Sequence, residues 1–325
     1  MSPPSSAVIA ADTDAFATAL KPVQHVPAAP AGVTDNTLVA IGLILASTLF
    51  FAAGDVTAKL LTGSLPGLQV TWLRYVVFAL LVVPATLLVR GRSGLRTKSI
   101  GMQSLRGIAV AGSAVLFVSG LTMLPVAEAT AINFISPIFI TALSIPLLGE
   151  KVGIRRWAAA AVGFAGVLIV VQPGGSSFSA AALLPMGAAM SWAIAAIVTR
   201  KMHAERPEVT LAWSAMIGLV VLSLGVPFVW KNLTLHEIGI GVLMGLFSTV
   251  GHGLVVLAFK KAPASVLAPF SYVQLASSSL FSFLMFAAVP QAMTFFGGAV
   301  IAASGLYTAH RERVRAKTGR NLRGV

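Results

Sequence analysis

Ionisable side chains occur inside long apolar runs of this chain, where each is costly unless it has a partner, water or a ligand. The main candidates are Asp55, Arg74, Glu128 and His252, and Lys59 follows Asp55 by one helical turn. A carboxylate there could bind a cation or carry a proton, whereas Arg74 must hold an anion, carbonyl groups or water because a guanidinium keeps its charge in proteins. His252 could titrate in a water-filled cavity. These residue types predict a polar site for a small molecule inside a membrane.

Each of these groups also has a structural interpretation. Asp55 and Lys59 have the i, i+4 spacing of a helical ion pair, which would neutralise both charges. Glu128 is close enough to the start of its run to be hydrated at the headgroups, and His252 could be a neutral side chain bonded to a neighbouring helix. Counted from the ends of the runs, Asp55, Lys59, Arg74 and Glu128 all fall in the outer half of the membrane. Two carboxylates and two cations sum to zero, so we expect a compensated charge network at the outer mouth of a cavity.

Four uncharged side chains add hydrogen-bonding or stacking groups to the candidate site: Asn133, Trp192, Tyr272 and Gln274. The two amides need hydrogen-bond partners inside a membrane. Trp192 lies too far from either end of its run for the interfacial aromatic belt, so it is a candidate for stacking on a planar ring. Pro137 and Pro269 remove backbone hydrogen bonds nearby, which predicts kinks in both helices. Kinked, polar spans in matching halves of a chain point to a transport site.

Catalytic and metal chemistry have no support in these residues. The chain has no cysteine, and no GxSxG, HExxH or phosphate-binding loop motif lies in an apolar run. A single histidine cannot hold a metal alone. We predict no catalytic residue, no metal site, no cofactor and no enzyme activity. An intramembrane enzyme, a channel and a non-transporting scaffold remain as alternatives.

The elements that must position these groups are membrane-spanning helices. Of 325 residues, 57% are hydrophobic and 10% charged, whereas soluble domains have about 45–50% and 25%. The predicted fold class is all-α and integral to the membrane, with ten transmembrane helices. Gly163 with Gly166, and Gly241 with Gly245, have the spacing of small residues at close helix contacts. The ten apolar runs have the lengths of helical spans: 38–59, 68–89, 105–124, 126–148, 156–172, 181–199, 210–230, 238–259, 264–286 and 292–309.

The net charge of +13 comes from lysines and arginines in alternate loops. If the N-terminus is cytoplasmic, nearly all of them fall on the cytoplasmic side and Lys231 falls in an outer loop, which follows the positive-inside rule. Both termini are then cytoplasmic: a disordered tail at 1–36, rich in Ala, Pro and Ser, and a basic tail at 311–325. This distribution favours anionic lipid headgroups at the inner face as partners and argues against nucleic acid.

The sequence contains an internal repeat. LTMLPVAEATAINFISPIF, around Pro125, is similar to LAFKKAPASVLAPFSYVQL, around Pro263, and Gly166 corresponds to Gly305 at nearly the same separation. Copies that are five crossings apart have opposite orientations. The repeat is therefore inverted, an architecture through which many secondary transporters alternate access to a central site.

These blocks, together with FFAAGDVTAKLL, TWLRYVV and LLGEKVGIRRW, resemble the EamA-type drug/metabolite transporter superfamily over nearly all of residues 36–315. The resemblance implies two inverted five-helix repeats around a central cavity, the first at 37–173 and the second at 180–310. It also implies transport of small metabolites without an ATPase domain. Bacterial members assigned to riboflavin or S-adenosylmethionine uptake are the most similar. One departure is FAAVPQ after the ninth run, where many second halves carry an acidic residue.

We therefore expect a secondary transporter of the bacterial inner membrane that moves a small polar or planar metabolite by alternating access, with riboflavin uptake as the first hypothesis. The alternatives are transport of S-adenosylmethionine, an amino acid or another metabolite, and proton-coupled export through Asp55 or Glu128. A homodimer is a candidate assembly.

Overall fold

The computed structural model describes residues 35–149, 154–171, 180–202, 204–261, 267 and 270–321. The predicted N-terminal tail up to residue 34, and the second-half prolines Pro263 and Pro269, lie outside the described residues. The kink predicted at Pro269 therefore stays a prediction.

Within these ranges the backbone forms α-helices that follow the predicted apolar runs in order. We number them along the chain: α1 (Asp35–Leu61), α2 (Gly67–Arg90), α3 (Ile100–Leu121), α4 (Val126–Asn133), α5 (Ser136–Leu148), α6 (Ile154–Val171), α7 (Leu183–Lys201), α8 (Pro207–Gly225), α9 (Leu235–Lys261), α10 (Val273–Phe286) and α11 (Ala292–Asn321). The last helix continues beyond the predicted end of the tenth run, so the backbone of the basic segment is helical as far as Asn321.

Seven helical segments among the described residues are long and apolar enough to cross a membrane, and three shorter apolar helices accompany them at 157–171, 273–286 and 292–307. The protein is therefore an all-helical, multi-pass membrane protein. Large apolar side chains cover its outer surface, including Leu88 (86% exposed) and Leu80 (67% exposed). Such side chains on a helix bundle are suited to lipid rather than water. The count of ten crossings remains a prediction.

The fourth predicted span is interrupted. Helix α4 ends at Asn133, and α5 begins at Ser136 with Pro137 in its first turn. Pro137 has no N–H to donate to the carbonyl one turn back, at Asn133, so the helix cannot continue through this point without losing that bond. The distortion predicted at Pro137 is confirmed as a break, and it leaves Asn133 at a helix end.

Small residues bring helices into close contact, as the glycine spacing predicted. A Cβ at Gly166 of α6 would lie 2.8 Å from the Gly297 carbonyl oxygen of α11, which is closer than real Cβ atoms approach. On α9, a Cβ at Gly241 would lie 3.2 Å from Leu73, and Gly245 packs still more tightly against Val77. These glycines serve packing between helices.

Helices from the first half of the chain pack mainly on helices from the second half. Helix α1 packs on α9 and α10, α2 on α8 and α9, α3 on α7 and α8, α5 on α7, and α6 on α11. The same contacts result when each helix is exchanged with the one five predicted spans away in the chain: α1 with α7, α2 with α8, α3 with α9, α5 with α10 and α6 with α11. The interior that holds the polar groups is thus built from both halves.

Candidate functional site

The buried carboxylate of Asp55 is the centre of a polar cluster. Asp55, on α1, is 5% exposed, and the Gln274 amide of α10 donates a hydrogen bond to its Oδ2 at 3.4 Å. The preceding residue, Gly54, packs against Ser248, which lies halfway along α9. Asp55 is therefore level with the middle of α9. The predicted position of Asp55 in the outer half of the membrane stays a prediction.

Arg74 of α2 brings a cation to the same cluster. Its side chain is half-buried, and it lies one helical turn before Phe78, whose ring contacts His252. Phe51, one turn before Asp55 on α1, contacts the same His252 ring. No hydrogen bond or ion pair joins Arg74 to another residue that the structure describes. A guanidinium with no anion or carbonyl partner is prepared to bind an anionic group.

His252 of α9 is fixed in orientation by a backbone bond and two aromatic rings. Its Nδ1 lies 2.8 Å from the Ser248 carbonyl oxygen, so this nitrogen carries the hydrogen and donates it. The rings of Phe51 and Phe78 lie 4.9 Å and 5.6 Å away between centroids. In the neutral ring, Nε2 is left as an acceptor for another group.

A second polar region lies where α4 ends next to α10. The Phe134 and Tyr272 rings are 5.1 Å apart, and the Tyr272 hydroxyl occupies the space beside Gly305. Asn133 Oδ1 and Thr130 Oγ1 are buried, and no described residue bonds to either atom. Because a buried polar atom without a partner is costly, these two atoms mark a place where a water or ligand would be favourable.

Glu128 and Trp192 are not joined to these polar groups. Glu128 is half-buried in the first turn of α4, and Trp192 is 39% exposed on α7. In the described part of the chain, no hydrogen bond or ring contact links either residue to Asp55, Arg74 or His252. The predicted site residues therefore separate into those that meet and those that stand apart.

Lys59 does not pair with Asp55, so the interpretation of these residues as an i, i+4 ion pair is wrong. Its ammonium donates instead to the Leu124 carbonyl oxygen at 3.0 Å, and also to that of Leu121. These carbonyls have no partner within helix α3, because they lie at or just beyond its end. The long side chain reaches them across the helix interface, and it links the ends of α1 and α3. We call this link the Lys59 latch.

Arg106 is a residue that the sequence interpretation missed. It is the second residue of the third predicted run, 105–124, and α3 begins earlier, at Ile100, and carries Arg106 into the bundle. Its guanidinium donates to Thr199 Oγ1 of α7 at 2.7 Å, and to Ser214 Oγ and the Thr210 carbonyl oxygen of α8. Three helices share one cation here. The hydroxyls of Thr199 in the sixth predicted run and Ser214 in the seventh were the signal in the sequence for a buried polar contact. Their partner, Arg106, is far from both in the sequence.

Acidic side chains clamp the loops at two places. Glu237 accepts hydrogen bonds from Ser64 Oγ at 2.5 Å and from Thr234, and the Gln69 amide pairs with the Lys231 backbone at 2.7 and 2.9 Å. Elsewhere, Glu205 accepts from Thr97 Oγ1 at 2.7 Å and from the Lys98 backbone at 3.1 Å. One clamp joins the α1–α2 loop to the α8–α9 loop. The other joins the α7–α8 loop to the α2–α3 loop, which is the counterpart of the first when the halves are exchanged.

Comparison with known proteins agrees with this architecture. The sequence model of the EamA-like transporter family matches the chain twice, at residues 38–172 and 179–309. An S-adenosylmethionine uptake transporter of Rickettsia bellii (strain RML369-C) is 27% identical over 276 residues, which cover 85% of this chain and 94% of that protein. A riboflavin transporter of Rhizobium johnstonii is 30% identical over 231 residues, 70% of this chain and 76% of that protein.

A solved crystal structure with 21% sequence identity superposes with a TM-score of 0.61 and covers 84% of this chain and 98% of its own. This likeness concerns the fold. With two family matches that together span most of the sequence, the chain belongs to the EamA-like transporter family, within the drug/metabolite transporter superfamily.

Proposed function

We propose that this protein is a secondary transporter that moves a small polar or planar metabolite across the bacterial inner membrane by alternating access. The observation that carries this proposal is the cluster of Asp55, Arg74, His252 and Gln274, to which four helices from both halves contribute. Charged groups at this depth in an apolar bundle are costly unless water, a partner or a substrate contacts them. Membership in a transporter family supports the same function.

The alternating mechanism would use two inverted halves of five crossings each. Support comes from the two family matches, one per half, and from the helix pairing, which keeps its scheme when the halves are exchanged. The paired loop clamps around Glu237 and Glu205 have the same relation. A structure with such internal symmetry can exchange the conformations of its halves, which turns an opening on one side into an opening on the other.

Orientation follows from the distribution of basic residues. With both termini in the cytoplasm, the α2–α3 loop with Arg96 and Lys98 and the α7–α8 loop with Glu205 are cytoplasmic, and the loop that holds Lys231 is on the outer side. The Lys59 latch then lies toward the outer side. In this arrangement the latch would close the outer end of the cavity, and the cytoplasmic basic residues would face anionic lipid headgroups.

Two substrates are candidates because relatives are named for them. Riboflavin, the first hypothesis from the sequence, is planar and could stack on aromatic side chains such as Tyr272 or Trp192. S-adenosylmethionine is the second candidate, and the opposite charges of Asp55 and Arg74 favour it. Amino-acid transport, proton-coupled export through Asp55 or Glu128, and assembly as a homodimer belong to the same proposal as alternatives still to be measured.

Uptake in cells tests the proposal. Cells that can neither make nor import the metabolite are supplied with labelled riboflavin, and in parallel with labelled S-adenosylmethionine, with and without this protein. We expect saturable uptake of one of them that unlabelled competitor suppresses. Absence of uptake of both, with the protein detected in the membrane, would contradict import of these two metabolites and redirect measurement to efflux and to other amino acids.

A further inference from the structure

The cluster contains two opposite charges that do not satisfy each other. Arg90 and Glu208 form an ion pair at 3.7 Å, whereas no ion pair joins Asp55 to Arg74 in the described part of the chain. The carboxylate has one side-chain hydrogen bond, the long one from Gln274, and the guanidinium has none within the described residues. Yet each of the two groups lies one helical turn from a phenylalanine, Phe51 on α1 and Phe78 on α2, that contacts the His252 ring.

Separation of this kind is expensive in a membrane. A charge inside a span is costly unless it has a partner, and direct pairing of an aspartate with an arginine would satisfy both groups. Asp55 lies on α1 and Arg74 on α2, and the two side chains do not pair. A ligand that carries both signs of charge would complete both groups at once.

We propose that this site recognises a zwitterionic metabolite, whose carboxylate binds Arg74 and whose ammonium group binds Asp55. The inference rests on the proposed function and narrows its substrate class to the amino-acid type, such as S-adenosylmethionine. Riboflavin has neither a carboxylate nor an ammonium group, so it brings no opposite charge to either Asp55 or Arg74.

Neighbouring groups suit the remainder of such a ligand. His252 is held by Ser248 with Nε2 as its free acceptor, and Phe51 and Phe78 flank its ring. An exocyclic amino group on a heteroaromatic ring could donate to this Nε2, and the ring itself could pack on the phenylalanines. Recognition of the charges would therefore come from α1 and α2, and recognition of the ring from α9.

Binding measurements on the purified full-length protein in nanodiscs test the charge recognition. The ligands are S-adenosylmethionine, its decarboxylated form, S-adenosylhomocysteine and riboflavin. Removal of the ligand carboxylate should weaken binding by about tenfold to hundredfold, the effect of one charge-assisted contact. S-adenosylhomocysteine keeps both charged groups, so it should bind with an affinity within a few-fold of that of S-adenosylmethionine.

Variants assign the effect to Arg74. In Arg74→Gln, the first two ligands should bind with equal affinity, whereas Arg74→Lys should retain part of the difference. Arg106→Gln is the matched control, because Arg106 is another in-span arginine but is bonded to Thr199 and Ser214, and it should keep the discrimination. The thermal unfolding midpoint of each variant establishes that it is folded.

The outcomes separate this inference from the proposed function. Equal binding of S-adenosylmethionine and its decarboxylated form by the unaltered protein overturns the zwitterion assignment, and so does binding of riboflavin alone. Either result is still compatible with the proposed transport function. Unchanged discrimination in folded Arg74→Gln overturns the role of Arg74. A folded protein that binds none of the four ligands contradicts the substrate class, and failure to transport any metabolite of a wider panel contradicts the function as well.

Discussion

The Lys59 latch offers a quantitative prediction about conformational balance. Lys59 donates to the carbonyl oxygens of Leu121 and Leu124, and so joins the ends of α1 and α3. Lys59→Met keeps an unbranched chain of similar length and removes the charged donor. A hydrogen bond to a charged group contributes about 1.5–3 kcal/mol, and the lysine also interacts favourably with the C-terminal end of the helix dipole.

We take about 2 kcal/mol as the loss, since water can replace part of the two bonds once the ends separate. At 1.36 kcal/mol per factor of ten, this loss changes the ratio of latched to unlatched molecules by about 30-fold. A state that is 97% latched would then be roughly half unlatched. Because transport requires both states, net transport should also change.

Distance measurement between spin labels reports this shift. The chain contains no cysteine, so Gly63→Cys and Met123→Cys give two specific labels on exposed positions beside the latch. We expect a second, longer distance to appear in Lys59→Met and to be weak in Lys59→Arg. Lys98→Met is the matched control at an exposed lysine near the other end of the bundle. An unchanged distance distribution in folded Lys59→Met would refute the latch.

Three further predictions concern the site and the packing. Arg74→Ala should abolish transport while the protein still inserts into the membrane, as measured by uptake and by the amount recovered in membranes; full transport would contradict its assignment to the site. Gly166→Leu should lower stability by about 1–3 kcal/mol through overpacking against Gly297, whereas Gly42→Leu, which has open space, should leave the unfolding midpoint in detergent unchanged. Arg106→Gln should also destabilise the protein, by about 1–3 kcal/mol, because its partners lose a donor; an unaltered midpoint would show that water replaces it.

Periodic and local features of this protein could be predicted from the sequence. The helices follow the apolar runs, because the length and hydropathy of a span are properties of consecutive residues. The break near Pro137 also follows from one residue and its missing donor. Gly166 and Gly245 could be assigned to helix contacts because lipid gives helices little reason to associate except through close packing.

Contacts between distant residues could not be predicted in this way. The carboxylate nearest to Lys59 in the sequence is that of Asp55. The partners of Lys59 in the structure are instead carbonyl oxygens at and just beyond the end of α3, and only the packing of the helices brings them within its reach. Arg106 was not selected as a site residue, because a charge near the edge of an apolar run looks like the boundary of that run when its partners, Thr199 and Ser214, are unknown. Hydropathy reports the mean polarity of a segment, and the partner of a given charge is a property of the tertiary structure.

The candidate site was predicted as a set of residues rather than as an arrangement. Four residues were selected because a polar group in an apolar run is costly unless it has a partner, water or a ligand. The structure brings these four together: Asp55, Arg74, His252 and Gln274. Trp192 was selected by the same argument, but it lies exposed on α7, where a lipid chain could cover it as well as a substrate could. Depth in a span does not indicate which side of a helix faces the interior.

Counterflow in vesicles tests the central claim most directly. The purified protein is reconstituted into vesicles loaded with unlabelled S-adenosylmethionine, and labelled S-adenosylmethionine is added outside, with riboflavin measured in the same way. We predict that the label accumulates transiently above its outside concentration for one of these metabolites, that it does so without ATP, and that Arg74→Ala does not accumulate it. Equal label in protein-free and protein-containing vesicles for both metabolites, or full counterflow by Arg74→Ala, would contradict transport through this cluster.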